Sequence, residues 1–300
     1  MWNAGNETRV SGRFFKGHGL GNDYIALDTE SLSFSLTPPA IRLICDRHRG
    51  IGSDGILARV PSHLADFGLR IYNPDGSEAE KSGNGLRIFA AYLLHETHVT
   101  THSSFTVETP GGVVAMEILG ESPTGAIDVR VEMGRASFQS ADVGLAGPER
   151  EVDGEMLELE AGDRVTITTV SLGNPHCVIF EDEVDVDDLR RRAPQISTHP
   201  SFTRGTNVQF ARAIDPGVVE AWVWERGAGE TLASGSSACA VAAAALKRGL
   251  VSDREIEVRM PGGSLFVEIG EDWSVVLRGP AEGVFVGEFF VALIRRIEEL

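Results

Sequence analysis

Glu78-Ala79-Glu80-Lys81-Ser82-Gly83-Asn84-Gly85 leads directly into an apolar run, Leu86 to Leu94. Further on, Glu230-Thr231-Leu232-Ala233-Ser234-Gly235-Ser236-Ser237 leads into another, Ala238 to Arg248, rich in alanine and valine. In both, a glutamate stands four residues before a Ser-Gly pair, and the pair opens a helix. The two copies lie about half the chain apart. Two related halves facing one another place these helix starts across a shared cleft. Each start offers free backbone N–H groups and the positive end of a helix dipole, which together hold an anion such as a carboxylate. One such loop is most simply an ordinary serine N-cap. A matched pair shifts the balance toward a site.

Outward from these two stretches the chain alternates glycine-rich turns with short strands. The 34 glycines cluster at 17–21, 50–55, 83–85, 227–235 and 262–263, as tight turns or backbone approaches to a ligand. Strand patterns fall at Val107–Thr109, Ala126–Met133, Val165–Val170, Val218–Trp224 and Ser274–Leu277. Two further helices are predicted, over about Pro39–His48 and Glu288–Glu299. Many strands with few helices read as α+β.

Composition narrows the function. The chain has 300 residues with 42% hydrophobic content, enough for one large core or two smaller ones. Its net charge of -17 repels phosphate backbones and anionic lipids, so neither nucleic acid nor a membrane surface is the expected partner. The acidity also fits a salty or a hot habitat, between which the sequence does not choose. Met1 to Arg13 is polar without an apolar centre, and no run of about 18 apolar residues occurs, so neither a signal peptide nor a membrane span is expected. Three scattered cysteines, Cys45, Cys177 and Cys239, suit a reducing compartment, and the cytoplasm is expected.

Other segments carry candidate chemistry. Ser171-Leu-Gly-Asn174-Pro-His176 starts a turn, and Asn174 and His176 either point into a cleft or belong to a surface turn with a structural histidine. Arg204-Gly-Thr-Asn207 enters a strand. In Glu225-Arg226-Gly-Ala-Gly-Glu230, the charges are either solvated on a surface loop or, in a cleft, allow Arg226 to clamp a carboxylate with two hydrogen bonds. No phosphate-binding P-loop, dinucleotide fingerprint or hydrolase elbow occurs. His95, His98 and His102 lack the spacing of a zinc helix and read as a solvated helix end. No metal is expected.

Together these segments resemble diaminopimelate epimerase over nearly the whole chain. The matching stretches, in order, are Phe15-Lys-Gly-His-Gly-Leu-Gly-Asn-Asp-Tyr24, Arg47-His-Arg-Gly-Ile-Gly-Ser-Asp-Gly55, Tyr72-Asn-Pro-Asp-Gly-Ser-Glu78, Gly83-Asn-Gly-Leu-Arg87, Gly173-Asn-Pro-His-Cys177, Gly205-Thr-Asn-Val208, Glu225-Arg-Gly-Ala-Gly-Glu-Thr231 and Met260-Pro-Gly-Gly-Ser-Leu265. The resemblance implies two pseudo-symmetric α+β domains, each a small strand barrel around a central helix. One would comprise 12–127 plus 279–300 and the other 128–278, with 1–11 as a polar extension. It implies epimerisation of LL-diaminopimelate to the meso form, for lysine and peptidoglycan precursors, by two-base proton transfer at the α-carbon without a cofactor. It also implies a homodimer with a small amino acid as its ligand. Asn22, Asn73, Asn174, Asn207, Glu225 and Arg226 would line the pocket. Gly83-Asn84 and Gly235-Ser236 would hold the reacting carboxylate, and His176 and Glu225 would support the acid and base.

The same resemblance places the family's two catalytic cysteines at Ser82 and Ser234, and leaves Cys177 and Cys239 at positions without chemistry. A thiol titrates near 8.5, whereas a hydroxyl is a far weaker acid and needs a strong base beside it. The sequence therefore puts catalysis in doubt. A deliberate Cys-to-Ser trap, a natural serine branch aided by Lys81, His176 or Glu225, and an inactive amino-acid binder all fit; a related isomerase, dehydratase or racemase is a further alternative. Lys81 reads either as a base or as an exposed lysine before a helix. Lys81 and Ile88 depart from the residues expected of the family, which favours a natural variant.

Overall fold

A computed structural model describes residues 12–300; the expected extension 1–11 lies outside them. The first half runs β1 (Arg13–Gly19), β2 (Asn22–Asp28), α1 (Pro38–Cys45), β3 (Ile56–Val60), β4 (Phe67–Tyr72), β5 (Glu78–Ala79), α2 (Gly83–His95), β6 (Ser104–Thr109), β7 (Gly112–Glu121) and β8 (Ile127–Arg135). The second runs β9 (Asp153–Glu158), β10 (Arg164–Ser171), β11 (Pro175–Phe180), α3 (Val186–Ser197), β12 (Asn207–Asp215), β13 (Val218–Glu225), β14 (Gly229–Thr231), α4 (Gly235–Lys247), β15 (Glu255–Met260), β16 (Gly263–Ile269), β17 (Ser274–Glu288) and α5 (Val291–Glu298).

The hydrogen-bond ladders close one ring fully, and an isolated bridge completes a second. Strands β1, β2, β3, β4, β6, β7, β8 and β17 pair in that order, and β17 returns to β1. In the second half β10, β11, β12, β13, β15, β16, β17 and β8 pair in order, and the bridge between Ser137 and Ser171 returns the chain past β8 to β10. Closure leaves few free edges. Strands β8 and β17 belong to both rings and lock the halves together. The parallel pairs also match: β2 with β3 and β4 with β6, then β11 with β12 and β13 with β15.

A helix fills each ring. From Gly83 to Leu93, α2 is buried throughout, and α4 is nearly as buried. A helix apolar all round belongs inside a core. In α4 the buried residues are mostly alanine, which is small and the best helix former. Both helices share one continuous apolar core. Helices α1 and α5 close a separate apolar layer outside the first barrel, and α3 does so for the second.

Several predicted boundaries shift. Helix α2 begins at Gly83 rather than Leu86, because Ser82 takes the extended cap conformation and Gly83 is already helical. Glu288 ends β17, and the last helix starts at Val291. Helix α3 carries little signal in the sequence: it is strongly polar, with only Leu189, Ala193, Ile196 and Ser197 buried.

Candidate active site

The duplication holds residue by residue. Counterparts stand 152 positions apart: Tyr24 and His176, Asn73 and Glu225, Ser82 and Ser234. Each half turns at a Leu-Gly-Asn sequence, where Gly21 and Gly173 both take positive φ, +89° and +96°. That turn delivers Asn22 and Asn174 to matching places.

The two helix starts meet. A Cβ on Gly235 would lie 3.0 Å from the Cα of Gly83, and one on Gly83 would lie 3.1 Å from the Cα of Gly235. Only glycine at both positions lets the backbones approach so closely. A cleft of about 830 Å³ is lined by Asn22, Tyr24, Asp54 and Asn73 from one half and Glu225, Arg226 and Thr231 from the other; Tyr24 and Glu225 link it to Ser82 and Ser234.

The serines differ in their surroundings. Ser82 caps α2 and accepts the Gly85 N–H at 3.0 Å. It also hydrogen-bonds Tyr24, a bond that opposes the upward push of burial on the phenol. Ser234 caps α4 without a side-chain bond to the helix. Its partner is Glu225, whose carboxyl is raised by burial while the bond to Ser234 opposes the rise.

Hydrogen bonds tie the remaining predicted residues to these two centres. Asn84 donates to Asn22 Oδ1 and to the Ala233 carbonyl, each at 3.1 Å, so it reaches from one helix start to the residue before Ser234. Asn22 donates to Asp54 at 2.9 Å, and Arg47 bonds Asp54 at 2.7 Å. Asn73 donates to Ser77 at the cleft wall. In the second half Asn174 donates to Ser236 at 3.4 Å and lies 3.0 Å from His176 Nε2. His176 has no solvent exposure, and its Nδ1 is 3.1 Å from Gln209 Nε2. Burial first, then Arg226, lowers His176 to about 3, so it is neutral at neutral pH. Asn207 accepts the Arg226 N–H at 2.9 Å, and the Arg226 guanidinium donates to the Arg204 carbonyl at 2.7 Å.

Lys81 turns away. Its Nζ donates to the Met133 carbonyl at 2.9 Å and ties the α2 cap to β8. Lys81 lines a second cavity of about 640 Å³, which none of the other predicted site residues lines. Tyr24, Asp54 and Arg47 were missed as site residues. All three lie within quoted motifs, and matching Leu20-Gly21-Asn22 to Leu172-Gly173-Asn174 would have found Tyr24 as the counterpart of His176.

Two matched helix starts brought into contact, one from each half and each capped by a serine, define a duplicated two-barrel frame. The chain matches the sequence profile "Diaminopimelate epimerase" over residues 14–139 and 168–284, and it belongs to that family. It is 45% identical over 277 residues to Diaminopimelate epimerase 2 of Nostoc sp. (strain PCC 7120), covering 92% of this chain and 95% of that one. It is 43% identical to the diaminopimelate epimerase of Pelotomaculum thermopropionicum, covering 92% and 98%. A crystal structure of a probable proline racemase from Agrobacterium radiobacter superposes with a TM-score of 0.69 over 94% of this chain and 93% of that one; at 15% identity it supports the fold alone. By family the chain is an isomerase of the epimerase type.

The expectation of a serine-replaced chain with doubtful catalysis is corrected. The chain has genuine cysteines at 45, 177 and 239, all free and buried. Named epimerases share its sequence along almost its whole length. The doubt rested on the weak acidity of a hydroxyl; the buried Glu225 carboxyl, one of the helpers expected from the sequence, bonds Ser234, and the cap geometry of both helices is intact. The inactive binder and the trapped mutant are set aside. Among the described residues, no helix is long and apolar enough to cross a membrane.

Proposed function

We propose that the chain inverts the α-carbon of diaminopimelate by proton transfer between two faces. The observation that carries this is the close contact of Gly83 with Gly235, which brings together the two helix starts that follow Ser82 and Ser234. In this reading the substrate carboxylate sits on the free N–H groups of Gly83-Asn84 and Gly235-Ser236, where negative charge developing in the transition state is stabilised most. Glu225 takes the Ser234 proton, and the Ser234 oxygen removes the α-hydrogen. Ser82, bonded to Tyr24, delivers a proton to the opposite face. In the reverse reaction Ser82, left without its proton, takes the α-hydrogen, and Ser234 protonates the opposite face as Glu225 returns the proton it holds. Asn22, Asn73, Asn174, Asn207 and Arg226 hold the distal amino and carboxylate groups. His176, neutral and bonded on both sides, positions Asn174.

Diaminopimelate is the substrate of choice because it is named for relatives at 45% and 43% identity. It is an amino acid of lysine biosynthesis, and the same reading includes a homodimer. The test is deuterium incorporation from D₂O at the α-carbon of LL- and meso-diaminopimelate. Incorporation from both isomers, with interconversion, is expected. Binding without exchange, or no response to either isomer, refutes the assignment.

A further inference from the structure

Arg87 heads the largest side chains with no solvent exposure. Its guanidinium bonds only neutral oxygens: the Pro280 carbonyl at 3.2 Å, the Gly83 carbonyl at 3.3 Å and Asn84 Oδ1 at 2.8 Å. The ionisable groups that act on it are Cys239 from α4 and Asp128 from β8. Asp128 is bonded to Arg278 at 2.7 Å, and burial pushes the Cys239 thiol up to about 12, so it is neutral. A buried cation with no counter-charge in contact is costly and must be held by what surrounds it. Burial lowers Arg87 to about 10, still well above neutral pH, so the charge persists.

That charge lies where the proposed chemistry needs it. Gly83 and Asn84, the residues it grips, follow Ser82 directly and form the start of α2. By fixing Asn84 Oδ1 it also aims the Asn84 amide at Asn22 and at Ala233, the neighbour of Ser234. One side chain is therefore bonded to the start of α2 and, through Asn84, linked to the residue before Ser234.

We propose that Arg87 is a positioning residue whose buried guanidinium adds a full positive charge to the α2 start and favours negative charge at position 82 and on a carboxylate bound there. The role rests on reading Ser82 as a proton-transfer position, and its test needs no turnover. Ser82→Cys in the full chain makes position 82 a titratable probe, read by the pH dependence of iodoacetamide alkylation. The native thiols do not compete, because burial raises all three. The new thiol is expected to titrate below the ordinary value of about 8.5. Adding Arg87→Met raises it by about 1 pH unit, whereas Arg87→Lys, which keeps the charge, raises it by less than about half as much. Asn84→Asp neutralises the guanidinium in place and gives an upward shift as well. Equal titration with and without Arg87→Met overturns the proposal, as do equal shifts for lysine and methionine. If Arg87→Met fails to fold, an unshifted thiol in Asn84→Asp overturns it. Deuterium exchange by the parent chain, measured in parallel, separates the two ideas: a silent parent with shifted thiols leaves Arg87 its role and removes the epimerase assignment.

Discussion

At Ser234 the hydroxyl has a carboxylate partner; at Ser82 the equivalent side chain is Asn73, which cannot take a proton. Tyr24 and His176 are likewise counterparts with different chemistry. In the proposed mechanism the mirrored frame carries an asymmetric pair, a basic centre at Ser234 and a proton-donating centre at Ser82. Burial raises Glu225 above the ordinary carboxylate range, which strengthens it as a base once ionised. Activity in the direction that starts at Ser234 is expected to rise with pH through this raised value, because the base works only after losing its proton. Glu225→Gln keeps the shape and removes the base. Its kcat should fall by about 10²–10⁴-fold, and the rising limb of the pH profile should vanish. Steady-state rates for both isomers between pH 4 and 9 check this; a full rising limb in Glu225→Gln shows that another group is the base.

At the scale of helices and strands, the helix starts decide the geometry. Gly235→Ala would put a methyl 3.0 Å from the Cα of Gly83 and 2.9 Å from Leu277 Cδ2. Leu277 can shift, but the facing backbone moves only if the two helices part. The expected stability loss is about 1–3 kcal/mol, the range for overpacking. The rate should fall further, by at least about 10²-fold, since displacement by 1 Å separates reacting groups. Urea unfolding beside kcat tests this, and a variant that loses stability yet keeps its rate contradicts it. This closeness was only partly legible in the sequence. The two Ser-Gly starts can be read because a cap is a local signal, and the barrel strands because alternation is local too. Helix α3 escaped because few of its residues are buried. The Tyr24–Ser82 bond and the network through Asn84 escaped because they join distant residues, and only closure of the barrels brings those together. The serines misled in the opposite way: residue type suggested lost chemistry, while the bond between the Glu225 carboxyl and Ser234 joins residues nine positions apart that the strand and turn before α4 bring together.

Among the described residues, one apolar stretch of strand edge is left open beside the closed first barrel. Strand β8 leaves β17 at Ala281, while β1 continues along its other side to Glu288. Residues 282–288 therefore present an edge with no strand against it among the described residues, and Val284, Phe285 and Val286 are about half exposed there. An exposed apolar edge invites another strand, and a second copy of the same edge supplies one by twofold symmetry. The homodimer of the proposed function is expected to form here. Phe285 opposes Lys16 in the ladder and touches Phe14 edge-on at 5.9 Å between ring centres. Phe285→Lys adds a charge to the edge without removing a backbone hydrogen bond. Two copies each carrying a net charge of -17 also repel, and salt screens that repulsion. Sedimentation at micromolar concentration should show the parent at twice the 32.3 kDa chain mass, more completely as salt rises, and Phe285→Lys at the mass of one chain. A parent that stays monomeric in high salt removes the dimer; a Phe285→Lys variant that remains dimeric moves the interface elsewhere, because a buried, unpaired lysine at the centre of a strand pair costs more than the pairing returns.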